Sequence, residues 1–198
     1  METVGSLVQE RNFRMIEYNP TFRKMPERTV DVPTAWKEVA EVLQDILDHF
    51  HVLRGTAIEF GVDYGYSTAC LANYFKKVIG VDHFQGDVHA GNRRLDLYDH
   101  VKDNLKDFEN IDLIPMNFKA FIKECDAQVD FIHVDIVHNY DETFECGCWA
   151  VQHAPVVMFH DTIAFKDVMR AVKDVAGNFG AGFYQINEQH GVGILVRE

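Results

Sequence analysis

The chain has 198 residues, 47% of them hydrophobic, which suits one α/β domain with a sizeable core. Its formal net charge of −12 sets most of the surface against polyanions, so no nucleic-acid partner is expected, and Arg93-Arg94 and Phe22-Arg23-Lys24 read as solvated surface charge. No apolar run approaches the roughly 20 residues of a membrane span, and Met1–Leu7 lacks the basic-then-apolar pattern of a signal peptide.

Residues 1–33 have weak periodicity and carry Pro20, Pro26 and Pro33, so they read as an irregular arm or lid before a single domain at 34–198. Trp36, Val39, Ala40, Leu43, Ile46, Leu47 and Phe50 recur at helical spacing and predict an amphipathic helix over 34–50. Apolar runs then lie at 56–60, 78–82, 111–115, 129–135 and 155–160, with helical segments at 66–76, 96–107, 118–124 and 141–151 between them. Strands alternating with helices indicate a parallel sheet. A last helix at 165–176 precedes two strands, 180–186 and 191–196, whose short connection 187–190 predicts a terminal antiparallel hairpin. The expected fold is therefore α/β: a Rossmann-like, mostly parallel seven-stranded sheet with helices on both faces. Cys70, Cys125, Cys146 and Cys148 form no C-x-x-C pair and read as reduced thiols in a cytoplasmic setting. Cys146, Cys148 and His153 match no standard zinc spacing.

The chemistry concentrates after the first apolar run. Glu59-Phe60-Gly61-Val62-Asp63-Tyr64-Gly65-Tyr66-Ser67 reads as a strand end, a glycine turn and a helix start. Asp82 follows Gly61 by about 20 residues, the spacing that puts an acid on the ribose hydroxyls of an adenosine-bearing cofactor. The turn has G-x-x-x-G spacing, and Asp63 lies inside it. A carboxylate there repels a pyrophosphate but tolerates an ammonium and a sulfonium, which points to S-adenosylmethionine (SAM) and away from NAD.

Glu59 is expected to hold the methionine ammonium, with a helix-dipole partnership as the plain alternative. Gly61 and Gly65 permit positive φ and close approach. Ser67 is expected to donate to the methionine carboxylate or simply to cap a helix. His83 is expected to lie along the adenosine, Asn117 to read the adenine amino group, and Phe118 to face the ring or pack in the core. Glu59, Asp82, Asn117, Asp135 and Asp161 all fall at the carboxyl ends of predicted strands, where open α/β sheets bind ligands. His133 reads as a hydrogen-bonded core histidine.

The order of motifs resembles class I SAM-dependent methyltransferases over roughly residues 34–198. Glu59–Ser67 is similar to the glycine turn of catechol O-methyltransferase-like enzymes. Val129–Tyr140 resembles the fourth strand of that group, of bacterial sugar O-methyltransferases and of the cephalosporin-hydroxylase-like branch, and His160-Asp161-Thr162 resembles the end of the fifth strand in those bacterial branches. The resemblance implies O-methylation of a small hydroxylated acceptor. It implies a divalent cation, usually Mg²⁺, on Asp135, Asp161 and Thr162, with Thr162 in place of an asparagine. It implies catalytic roles for Asp135 and for His138, which stands where that group has a lysine. A homodimer is compatible with this reading. Two alternatives stay open: a metal-dependent oxygenase built on His133, Asp135 and a further histidine, and a non-catalytic binding protein of the same fold.

Overall fold

The structure is a computed structural model that describes residues 14–86, 96–188 and 190–197. Arg93-Arg94, the start of the arm and Gln189 lie outside the described residues.

The elements run β1 (Met15–Glu17), α1 (Lys37–His49), β2 (Thr56–Phe60), α2 (Tyr66–Ala72), β3 (Lys77–Asp82), α3 (Tyr98–Asn104), β4 (Ile111–Pro115), α4 (Phe118–Glu124), β5 (Phe131–Val134), α5 (Tyr140–His153), β6 (Val156–Phe159), α6 (Lys166–Phe179), β7 (Gly182–Ile186) and β8 (Val192–Val196). They form one sheet in the order β1-β7-β8-β6-β5-β2-β3-β4, with β8 antiparallel to both neighbours and every other pair parallel. The seven expected strands are all present. The eighth, β1, is a correction: part of the arm pairs with β7, Met15 opposite Phe183 and Glu17 opposite Gln185. Its three residues are exposed, so no apolar alternation betrayed it.

Period-two alternation divides the core. Ala57, Phe131 and Met158 face α1 and α2, while Phe60, Ile132 and Phe159 face α4, α5 and α6. Leu43, Ile46 and Leu47 of α1 and Phe159 of β6 are almost fully buried, each such side chain contributing about 1.5–3 kcal/mol. Asp45 shares the buried stripe of α1 and ties the arm down. It accepts from the Tyr18 hydroxyl, from Thr21 Oγ1 at 2.6 Å and backbone N at 3.1 Å, and from Phe22 N at 3.3 Å. Burial disfavours its charge, yet these donors outweigh burial and hold its pKa below the usual carboxylate value.

The chain leaves β2 outward to β3 and β4, then returns to β5 on the other side of β2. That reversal opens a crevice at the carboxyl ends of β2 and β5, the place where such sheets bind ligands. Among the described residues no helix is long and apolar enough to cross a membrane.

Candidate active site

A cavity of about 760 Å³ fills the crevice. Its first wall is the glycine turn. Gly61 and Gly65 both have φ +89°, and Asp63 between them has φ +47°. Asp82 welds this turn to the next strand end. Its Oδ2 accepts from Val62 N at 2.8 Å and Asp63 N at 3.1 Å, and its Oδ1 accepts from Phe84 N at 2.7 Å. Asp63, Asp82, His83, Ser67, Asn117 and Phe118 all line the cavity. Gly65, not Ser67, is the N-cap of α2, so Ser67 stands within the first turn, facing the cavity. Asn117 caps α4, its side-chain oxygen accepting from Lys119 N at 2.9 Å.

Glu59 is not among the cavity-lining residues. Strand alternation sends it to the α2 face, where it is fully buried, accepts from the Thr68 hydroxyl and pairs with His133 Nδ1 at 2.9 Å. Glu59 and His133 are register partners on β2 and β5. His133 is thus a buried histidine paired with Glu59, and it is not among the cavity-lining residues.

The second wall is built by the ends of β5 and β6. His138 Nε2 lies 2.8 Å from Asp161 Oδ2 and 3.5 Å from Asp135 Oδ1. His160 Nδ1 lies 3.4 Å from Asp135 Oδ2 and 3.4 Å from Asp161 Oδ2. The His138 ring stacks on Phe165 at 4.2 Å between centroids. Burial opposes the charge on each group, but the mutual hydrogen bonds and ion pairs prevail. They raise His138 to about 9 and His160 to about 10, lower Asp161 to about 2, and hold Asp135 far below the usual carboxylate range. At neutral pH the resting cluster therefore carries two imidazoliums against two carboxylates.

Thr162, expected beside Asp161, turns away. It is buried, and its hydroxyl exchanges hydrogen bonds with the Gln185 side chain at 2.9 and 3.1 Å. The cause is local: Asp161 has φ +60°, which breaks the strand alternation. His160 and Asp161 consequently both face the cavity. Asp135, His138 and Asp161 offer ligand atoms within 4.8 Å of one another, two oxygens and one nitrogen, so the donor set fits a divalent cation.

The sequence matches the family described as a methyltransferase domain over residues 58–162, just over half of the chain. The chain belongs to that methyltransferase family. Solved structures agree with this methyltransferase fold. A candidate caffeoyl-CoA O-methyltransferase from Staphylococcus aureus superposes with a TM-score of 0.65 at 14% identity, covering 85% of this chain and 86% of that one. The O-methyltransferase TomG from Streptomyces achromogenes, solved with SAM, gives 0.55 at 13% identity, covering 76% and 75%. A candidate RNA methyltransferase from Pyrococcus horikoshii gives 0.54 at 16% identity, covering 85% and 90%. No curated protein matches the sequence.

Sequence reasoning missed part of the methyltransferase cavity. Thr34 and Trp36, from the end of the arm and the start of α1, line it, as do Tyr64 and Glu142. Trp36 is nearly buried and meets the His133 ring edge-on at 5.2 Å. Its helical spacing marked it only as core. Glu142 pairs with Lys119 at 2.9 Å.

Proposed function

We propose that this SAM-dependent methyltransferase transfers a methyl group to a hydroxyl of a small, uncharged polyol, such as a sugar or a catechol-like diol. The observation that carries the reading is one continuous cavity with the Gly61–Asp82 wall at one side and the Asp135–His138–Asp161 cluster at the other. Among the described residues lining it none is Lys or Arg, which disfavours a phosphorylated or polyanionic acceptor.

In this reading Asp82 accepts the ribose hydroxyls while its backbone bonds hold the turn in shape. Gly61 and Gly65 keep the turn close to the ligand, Asp63 and Ser67 meet the methionine end, and His83, Asn117 and Phe118 flank the adenine. Glu59 supports the turn from behind through Thr68. SAM, when bound, supplies an electrophilic methyl group on a sulfonium. Asp135 and Asp161 hold the acceptor end, and a divalent cation there would lower the pKa of the acceptor hydroxyl. His138 is the general base. Its resting proton is released when a further positive charge enters the site and lowers its pKa. The neutral ring then takes the hydroxyl proton, and Asp161, 2.8 Å from Nε2 in the resting site, steadies the positive charge that results. Most of the acceleration comes from positioning and from stabilising the developing alkoxide.

Isothermal titration with SAM, S-adenosylhomocysteine and NAD tests the cofactor, followed by labelled SAM against a panel of diols and sugars. The expected result is micromolar or tighter binding of the first two, about −8 kcal/mol, and methyl transfer to at least one polyol. NAD binding without SAM binding, or transfer confined to RNA, removes the reading.

A further inference from the structure

We propose that the third protein ligand of the cation site is His160, and that the resulting nitrogen–oxygen site selects a first-row transition ion over Mg²⁺. The proposal rests on the reading of Asp135 and Asp161 as the acids that hold a cation.

The left-handed backbone at Asp161 turns Thr162 into the core and leaves its hydroxyl engaged with Gln185. The same turn presents the residue before Asp161. His160 Nδ1 sits 3.4 Å from an oxygen of each acid, equidistant from the two. Bonds of about 2.1 Å from an ion to nitrogen and oxygen place neighbouring ligand atoms roughly 3.0–3.4 Å apart, so His160 Nδ1 already stands at coordination spacing from an oxygen of each acid. His160 is 5% exposed, and its Nε2 is buried with no hydrogen-bond partner among the described residues. Among the described residues, the polar contacts of the ring lie on the Nδ1 edge that faces the acids. His138 differs. It lies on the loop after β5, is more exposed than His160, and approaches Asp161 most closely, which leaves it beside the ion as the base.

Chemistry then sets the choice of ion. Mg²⁺ takes oxygen ligands almost exclusively and here would find only two carboxylates. The ion displaces the Nδ1 proton of His160 on binding, and the freed imidazole nitrogen favours first-row transition ions, with affinity rising from Mn²⁺ to Co²⁺.

The test is calorimetry and visible absorption on EDTA-stripped protein with Co²⁺, Mn²⁺ and Mg²⁺ alone. The expected order is Co²⁺, then Mn²⁺, then Mg²⁺, with Mg²⁺ about 100-fold weaker than Co²⁺, and with Co²⁺ absorption bands appearing on binding. His160→Ala should weaken Co²⁺ roughly tenfold or more, His138→Ala should weaken it less than His160→Ala does, and Thr162→Val should leave it within about threefold. If His160→Ala does not fold, His160→Asn decides: its oxygen donor should narrow the Co²⁺ preference over Mg²⁺. Equal binding of Mg²⁺ and Co²⁺, no binding of any divalent ion, or equal loss in His138→Ala and His160→Ala overturns the proposal. SAM titration of the same stripped protein keeps the two readings apart. SAM binding without ion binding removes the metal site alone, and ion binding without SAM binding removes the cofactor reading alone.

Discussion

Gly61 and Asp135 meet backbone to backbone: a Cβ at position 61 would lie 1.8 Å from the Asp135 carbonyl oxygen and 2.6 Å from its carbon. The contact joins the turn after β2 to the loop after β5, the two strand ends that flank the topological reversal. The glycine turn and the acid cluster are thereby joined backbone to backbone.

Gly61→Ala follows directly. Neither contacting group is a flexible side chain, and φ +89° is strained for alanine. The variant should lose about 2–4 kcal/mol of stability by urea unfolding. A loss under about 0.5 kcal/mol, the range of an ordinary surface substitution, would show that the contact yields.

Asp82→Ala removes the acceptor for three backbone N–H groups as well as the proposed ribose partner. SAM affinity should fall by roughly 2–4 kcal/mol, the scale of losing charged hydrogen bonds, with a lower melting temperature. Unchanged SAM affinity in a folded variant excludes the ribose role.

His138→Ala should leave SAM binding intact and lower turnover by about 10²–10⁴, the usual contribution of a general base. Since Asp161 lies 2.8 Å from His138 Nε2, Asp161→Asn should also impair turnover. Full activity of His138→Ala at neutral pH would leave positioning as the whole mechanism.

The cluster also makes a pH prediction for metal-free protein. His138 and His160 have folded pKa values of about 9 and about 10, above the ordinary histidine value. Their stabilising contribution is complete below the unfolded value of about 6.5 and disappears as pH rises through the folded values. For Asp161, lowered to about 2, the contribution is present above the unfolded value of about 3.9 and is lost as pH falls through the folded value. In EDTA the melting temperature should therefore decline between about pH 6.5 and 10. A flat profile there, or one unaltered by His138→Ala, contradicts the ion-paired cluster.

Much of this architecture was legible in the linear chain. Apolar runs separated by helical periodicity placed β2 through β8 and all six helices, because burial on a sheet face or a helix stripe forces those periods. The same runs fixed where Asp82, Asp135 and Asp161 fall, since a polar residue that closes an apolar strand must sit at its carboxyl end. The glycine turn was legible for a similar reason: two positive-φ positions need residues without a Cβ. Other features depended on distance or on a single dihedral. Met15–Glu17 becomes a strand only because β7 offers an edge to it and Asp45 anchors Tyr18 and Thr21 close behind. Glu59 ends a strand at the predicted position, yet alternation buries it against Thr68 and His133. One left-handed residue, Asp161, exchanges Thr162 for His160 at the cavity. The order of residues dictates periods, and periods locate elements; which way a side chain points at a strand's end depends on a local φ that the surrounding packing imposes.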